Sequence, residues 1–402
     1  MQNAFMLQLG NMYFISNMMT YNLSTIRPNL DRSSMFSRKF SSCTHLLHLF
    51  TAAVVMSGFV ASAPALAQDT PVKLPNVVIL ATGGTIAGSG ADSTTTVGYT
   101  SATVGVERLI AAVPELKKVA HVKGEQVFQI ASESMTNEHW LTLAKRINVL
   151  LASPDVDGVV VTHGTDTIEE TAYFLDLTVK SNKPVVVVGA MRPSTAISAD
   201  GPINLYNAVL LAGSKEAVGK GVLVALNDQI NAAREVTKTN TSTTDTFKST
   251  ELGMLGYIQG SKPFFYRQST RKHTADSEFD ISKLDVLPQV DIVYGYANMN
   301  RVALDALIAA GAKGIIHAGV GDGSVAGQMK AALVEARGKG VQIVRASRVG
   351  QGIVARNGEA NDDEMDSVVS DTLNPQKARI LLMLALTKTN STQEIQRIFY
   401  TY

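Results

Sequence analysis

From about residue 75 onward the chain repeats one unit: a short β-branched apolar run, a polar or glycine-rich turn, and a segment of helical periodicity. The apolar runs fall at 77–80, 158–161, 184–188 and 221–225, then at 290–293, 314–316 and 341–344. They are continuous rather than alternating, the pattern of parallel strands covered by helices on both faces. Between them, 104–112, 138–151, 168–179, 301–310 and 328–336 read as helices. Two more helices are marked by their starts. Asn374 as N-cap with Pro375 in the first turn opens 376–386, and Ser391 opens 392–399. The pattern predicts a two-domain α/β fold. At about 262–287 the periodicity lapses into mixed aromatic, basic and acidic residues, such as Phe264, Tyr266, Arg271, Lys272 and Asp276. A larger N-terminal parallel-sheet domain is therefore expected at 68–266, a linker at 267–288, and a smaller C-terminal α/β domain at 289–402.

The N-terminus reads differently. Arg38 and Lys39 precede a mostly apolar run at 46–60, and Ala65-Leu66-Ala67 forms a small-x-small cleavage site. Residues 1–67 are expected to be a leader, with the signal peptide proper at 35–67 and the mature chain starting at Gln68. Residues 1–34 lack the leader pattern, so Met35 is the expected start, giving a leader of about 33 residues. Export to the periplasm follows, with no membrane anchor after cleavage, because no later stretch has the length of a span. Cys43 is the chain's single cysteine, so the mature chain would carry no disulfide and no thiol nucleophile. The formal charge of +1 becomes −2 once residues 1–67 are removed. That leaves no basic excess of the kind nucleic-acid backbones require.

In open parallel sheets ligands gather beyond the carboxyl ends of strands. Three consecutive strand ends here carry Ala81-Thr82-Gly83-Gly84-Thr85, Thr162-His163-Gly164-Thr165-Asp166 and Gly189-Ala190-Met191-Arg192. Each alone can be an ordinary turn or helix cap. Together they place hydroxyls, glycines and an acid on one floor. Gly321, Gly323 and Ala326 also match a dinucleotide-loop pattern, but no acid follows at a strand end to hold a ribose.

The strings ATGGTIAG (81–88), THGTDTIEETAYFLDLTVK (162–180), AMRPSTAISADGPINLYNAV (190–209), VTKTNTSTTDTFK (236–248) and LNPQKARILLMLALTKT (373–389) resemble the bacterial type II L-asparaginases and glutaminase-asparaginases. The resemblance runs from about Leu74 to Tyr402. It implies hydrolysis of L-asparagine to aspartate and ammonia, with L-glutamine as a second substrate. Thr85 falls at the nucleophile position and Tyr99 on the loop that closes over the site. Thr165 and Asp166 match the second threonine and the acid that holds the substrate's α-ammonium, and Lys238 matches the lysine paired with them. Ser132 and Glu133 match the pair gripping the substrate's backbone end. Glu359, and Asn298 from the smaller domain, match residues donated from a neighbouring subunit. The resemblance also implies a homotetramer with shared sites, small-molecule substrates, and neither metal nor organic cofactor.

A threonine hydroxyl needs help losing its proton. Tyr99 oriented by Glu359 is one candidate acceptor, and Lys238 with Asp166 and Thr165 is another. Read from the residues alone, Lys238 is equally a surface lysine in a Thr/Ser-rich stretch, and Glu359 part of a solvated acidic tract. His163 is read as structural, and Arg192 as fixing its own loop. Members devoted to asparagine often carry Ser-Gln where this chain has Ser132-Glu133, which implies appreciable glutaminase activity here. A periplasmic solute-binding protein is the rival of another class. It has no use for two threonines, a tyrosine and a lysine at strand-end turns.

Overall fold

The computed structural model describes residues 73–402, so the leader, its cleavage site and Met35 lie outside the described residues. The strands are β1 Asn76–Gly83, β2 His121–Ile130, β3 Gly158–Thr162, β4 Val185–Val188, β5 Val222–Leu226, β6 Gln229–Ala232, β7 Thr237–Lys238, β8 Phe247–Lys248, β9 Gly256–Gln259 and β10 Lys262–Phe265. Then follow β11 Val290–Tyr294, β12 Gly314–Gly319, β13 Gln342–Ser347 and β14 Val368–Val369. The helices are α1 Val106–Ala111, α2 Asn137–Ala152, α3 Ile168–Thr178, α4 Gly201–Ala212, α5 Val302–Ala309, α6 Gly327–Gly338, α7 Asp362–Met365, α8 Pro375–Ala385 and α9 Thr392–Thr401.

Eight strands form one sheet in the order β10-β9-β6-β5-β4-β3-β1-β2, and β11-β12-β13-β14 form a second. The five strands β5-β4-β3-β1-β2 run parallel, as the apolar runs predicted. The sheet is not parallel throughout, however: β6, β9 and β10 extend it antiparallel. The stretch at 262–287 accordingly begins as a strand, because Lys262–Phe265 pairs with Gly256–Gln259 before the connection starts.

Side chains alternate across each strand, so β1 feeds two cores. Val78 and Leu80 join Val159, Val161, Val185 and Val187 beneath α2 and α3, in a core that continues through α8 to Ile316 and Val344 of the second sheet. Val77 and Ile79 join Val160, Val186 and Val188 beneath α1 and α4. A third core, with Ile315, Ile343, Met329 and Leu333, backs the second sheet. The predicted caps are present. Asn374 accepts from the backbone N–H of Lys377, and Ser391 from that of Glu394. Among the described residues no helix is long and apolar enough to cross a membrane.

The dinucleotide-like loop is filled by protein. The guanidinium of Arg345, wholly buried, donates to the carbonyls of Asp322 (3.3 Å) and Gly323 (3.0 Å), and its other nitrogens bind the Asp362 carboxylate at 2.6 and 2.7 Å.

Candidate active site

In the large sheet β1 lies between β3 and β2, so the chain leaves β1 in one direction and returns on its other side. That switch point opens a crevice at the carboxyl ends of β1 and β3. Beyond it lies a cavity of about 500 Å³ lined by Thr85, Tyr99, Ser132, Glu133, Thr165, Asp166 and Lys238, together with Met191, Arg192, Ser198 and Thr241. Seven of the nine residues singled out from the sequence thus meet in one place.

Glycine contacts set the spacing. Gly84 has φ +78°, and a Cβ there would sit 2.3 Å from the Cα of Gly164. A Cβ on Gly164 would in turn lie 2.6 Å from Ser132 Oγ. Only with both side chains absent can the turns after β1, β2 and β3 close to backbone contact, and that brings Thr85, Ser132 and Thr165 around one space.

Two hydrogen-bonded groups result. The buried Thr85 hydroxyl is 2.8 Å from the Tyr99 hydroxyl. The Lys238 ammonium donates to Thr165 Oγ1 at 3.0 Å and to Asp166 Oδ1 at 2.6 Å. Lys238 is mostly enclosed, with its side chain 17% exposed, while that of Asp166 is 61% exposed and so open to a cationic ligand group. Ser132 is buried and accepts from the Asp166 N–H at 3.2 Å, so it braces the acid's turn. Glu133 is exposed at the cavity wall.

His163 sits under this floor, wholly buried. Trp140 Nε1–H donates to Thr171 Oγ1 (2.9 Å), which lies 2.9 Å from His163 Nε2, and His163 Nδ1–H goes to the Gly164 carbonyl (2.8 Å). Nδ1 faces a carbonyl and so carries the ring proton, and burial disfavours a second one, which leaves Nε2 to accept from the Thr171 hydroxyl. Burial pushes His163 down to about 4, against the opposing pull of its bond to Gly164. The ring is placed to hold the Thr165–Asp166 turn from behind.

Asn298 and Glu359 are not among the residues that line this cavity. Asn298 is exposed in a left-handed turn (φ 59°) after β11, and Glu359 is exposed and receives a 3.4 Å bond from Ser324. Arg192 binds the Ser198 carbonyl at 3.0 Å, as read, and also reaches the cavity wall. Missed from the sequence were Thr241 and Ser242 on the β7–β8 hairpin loop and Glu169 behind Lys238. Nothing short-range marks them. Among the described residues no cluster of three or more His, Cys, Asp or Glu could hold a metal ion.

Fold and cavity together define a two-domain α/β protein whose hydroxyls, lysine and acid converge at a strand-end switch point. Residues 76–271 match the family model for the asparaginase N-terminal domain, and residues 289–399 match that for the glutaminase/asparaginase C-terminal domain. The chain is 59% identical over 329 residues to L-asparaginase 2 of Bacillus subtilis (strain 168), covering 82% of this chain and 87% of that protein. It is 55% identical over 345 residues to the glutaminase-asparaginase of Pseudomonas fluorescens biotype A, covering 86% and 95%. A crystal structure of a probable cytoplasmic L-asparaginase from Campylobacter jejuni superposes with a TM-score of 0.80 at 51% identity, covering 82% of this chain and all of that one. The chain belongs to the asparaginase family of amidohydrolases.

Proposed function

We propose that this chain hydrolyses the side-chain amide of L-asparagine, and of L-glutamine as a second activity, with Thr85 as nucleophile. The observation that carries the reading is the 2.8 Å contact between Thr85 and Tyr99, set in one cavity with the Lys238–Thr165–Asp166 group. Thr85 Oγ bonds to the amide carbon while its proton passes to the Tyr99 oxygen. Tyr99 gives its own proton to the leaving nitrogen, which departs as ammonia. Gly84 gives its N–H to Ile130 and Asp166 gives its own to Ser132, so the unengaged amides of Thr85 and Thr165 are the candidates to hold the oxyanion. Water, oriented by Thr165 and Lys238, then cleaves the ester to release the amino acid and restore Thr85. Asp166 and Glu133 present carboxylates to the substrate's α-ammonium, with Ser132 at its α-carboxylate.

Asn298 and Glu359 are assigned to a cavity of a neighbouring copy in a homotetramer, which accords with their exposure and their absence from the lining of their own chain's cavity. Mixing inactive Thr85→Ala chains with inactive Glu359→Ala chains should then restore some turnover. Export to the periplasm rests on the leader pattern alone, and N-terminal sequencing of the exported protein should begin at Gln68.

Ammonia release from both amides tests the main reading. Thr85→Ala should abolish turnover while aspartate still binds. A glutamine-to-asparagine kcat/KM ratio below about one in a thousand, some 4 kcal/mol of discrimination, would remove the glutaminase assignment. No ammonia from either substrate would remove the whole reading.

A further inference from the structure

Lys238 is held from two directions. Its ammonium reaches Thr165 and Asp166, while its backbone N–H donates to Glu169 Oε2 at 3.2 Å. Glu169 lies in the first turn of α3, three residues beyond Asp166, and is only 6% exposed. Its other oxygen, Oε1, accepts from Gln376 Nε2 at 2.5 Å, across 207 positions of sequence. Gln376 is in the first turn of α8, the helix that packs against α3 and against the second sheet. The next residue acts on the same segment. The ammonium of Lys377, 1% exposed, donates to the carbonyls of Ala233 (2.9 Å), Arg234 (2.8 Å) and Val236 (2.5 Å), the turn that leads into β7. Two consecutive side chains of the small domain thus fasten the strand that carries Lys238.

We propose that Glu169 and Gln376 form a positioning bridge through which docking of the small domain sets the Lys238 ammonium against Thr165 and Asp166. The inference rests on the role given to Lys238 above. A buried carboxylate must have donors for both oxygens or it rotates toward water. Gln376 supplies the donor for Oε1 and so keeps Oε2 on the β7 backbone. Without the bridge Glu169 is free to turn, the Lys238 N–H loses its acceptor, and the ammonium moves relative to the two groups it serves. A shift of about 1 Å at such a group is enough for a rate loss on the order of a hundredfold. Neither residue lines the cavity, so neither has a reason of its own to touch substrate.

The test uses the full chain and a double-mutant cycle, with urea midpoints recorded for every variant. Glu169→Leu and Gln376→Leu keep bulk but remove the bridge, and each should lower kcat for asparagine by about tenfold or more, with KM falling alongside, because Lys238 acts on the ester after ammonia has left. Glu169→Gln should stay within about threefold of wild type, because its amide oxygen can still accept from Lys238 and the Gln376 amide can turn to complement it. In a Lys238→Met background, adding Glu169→Leu or Gln376→Leu should change kcat by less than about twofold, since both act through the group already removed. A further loss of about tenfold in that background overturns the bridge and leaves Lys238's role standing. Wild-type activity in both single leucine variants overturns it in the same way. Wild-type activity in Lys238→Met removes the reading of Lys238 itself, and the bridge with it. Should Glu169→Leu fail to fold, the half-exposed Gln376→Leu decides alone.

Discussion

His163 offers a prediction whose size follows from its surroundings. The ring is neutral in the fold because burial disfavours the charged form, with Nδ1 donating to the Gly164 carbonyl and Nε2 left to accept from Thr171. Burial holds it down at about 4, against 6.5 for a free imidazole. Below 6.5 the unfolded chain takes up a proton that the fold refuses, so stability rises with pH in this window. His163's contribution is therefore intact above 6.5 and is lost as pH falls toward 4. At pH 4.5 the linkage amounts to about 2.5 kcal/mol for this one residue. The assay is urea unfolding between pH 7 and 4.5 for wild type and His163→Asn, whose amide can keep the bond to Gly164 while losing the titration. The variant starts less stable at pH 7, since Thr171 loses its acceptor. Its loss on acidification should nevertheless be smaller than wild type's by about that 2.5 kcal/mol. His317, buried in the small domain and likewise pushed down to about 4 by burial, titrates in the same window. The difference between the two proteins therefore carries the test. Parallel pH profiles for both would refute the neutral, fully bonded imidazole.

Further outcomes follow from other buried contacts. Gly84→Ala forces a Cβ to within 2.3 Å of the Gly164 backbone at a φ of +78°, so kcat/KM should fall by about a hundredfold or more with the circular dichroism spectrum retained. Arg345→Met strands the Asp362 carboxylate and should cost about 3–5 kcal/mol in urea unfolding, while the double variant with Asp362→Leu should recover part of the loss. Asp176, fully enclosed, is raised to about 7 by burial, outweighing its bond from the Val222 N–H. Between about 4 and 7 the fold retains a proton that the unfolded chain has lost, so its cost grows as pH rises. Asp176→Asn should therefore be more stable than wild type at pH 8, by a few kcal/mol, with the advantage vanishing toward pH 4 in the same unfolding assay.

The central strands were legible because they are buried on both faces, which forces continuous β-branched runs; the valines of β3 and β4 are the plainest case. The edge strands were not. In β2, the sequence HVKGEQVFQI mixes glycine and charge with apolar residues because most of its side chains are only partly covered or exposed. The two-residue strands β7 and β8 carry too little pattern to read at all. Helix α4 did have a signal: Pro202 near its start, which favours a first helical turn, ahead of the run from Ile203 to Ala212. Thr85 and Thr165 were visible as strand-end hydroxyls. Lys238 was not, since its meaning comes from contacts with Thr165 and Asp166 more than seventy positions away, and it was placed by resemblance alone. The Glu169–Gln376 contact spans too much chain for any local rule to find.

The two hydrogen-bonded groups of the cavity are secured by different physics. Thr85 stands where it does because glycine backbones of the large domain pack without side chains between them, and such contacts carry no charge to titrate or screen. Lys238 stands where it does through polar bonds to Thr165, Asp166 and Glu169, the last of them shared with a helix of the other domain. Polar bonds of this kind weaken when a donor is lost or water competes for it, whereas the glycine backbone contact depends on no side-chain donor. If Thr85 performs the attack and Lys238 serves the release of the ester, mild denaturant or loosened domain docking should slow release before it slows attack. Acyl-enzyme would then accumulate, and a burst of ammonia would precede a slower steady state.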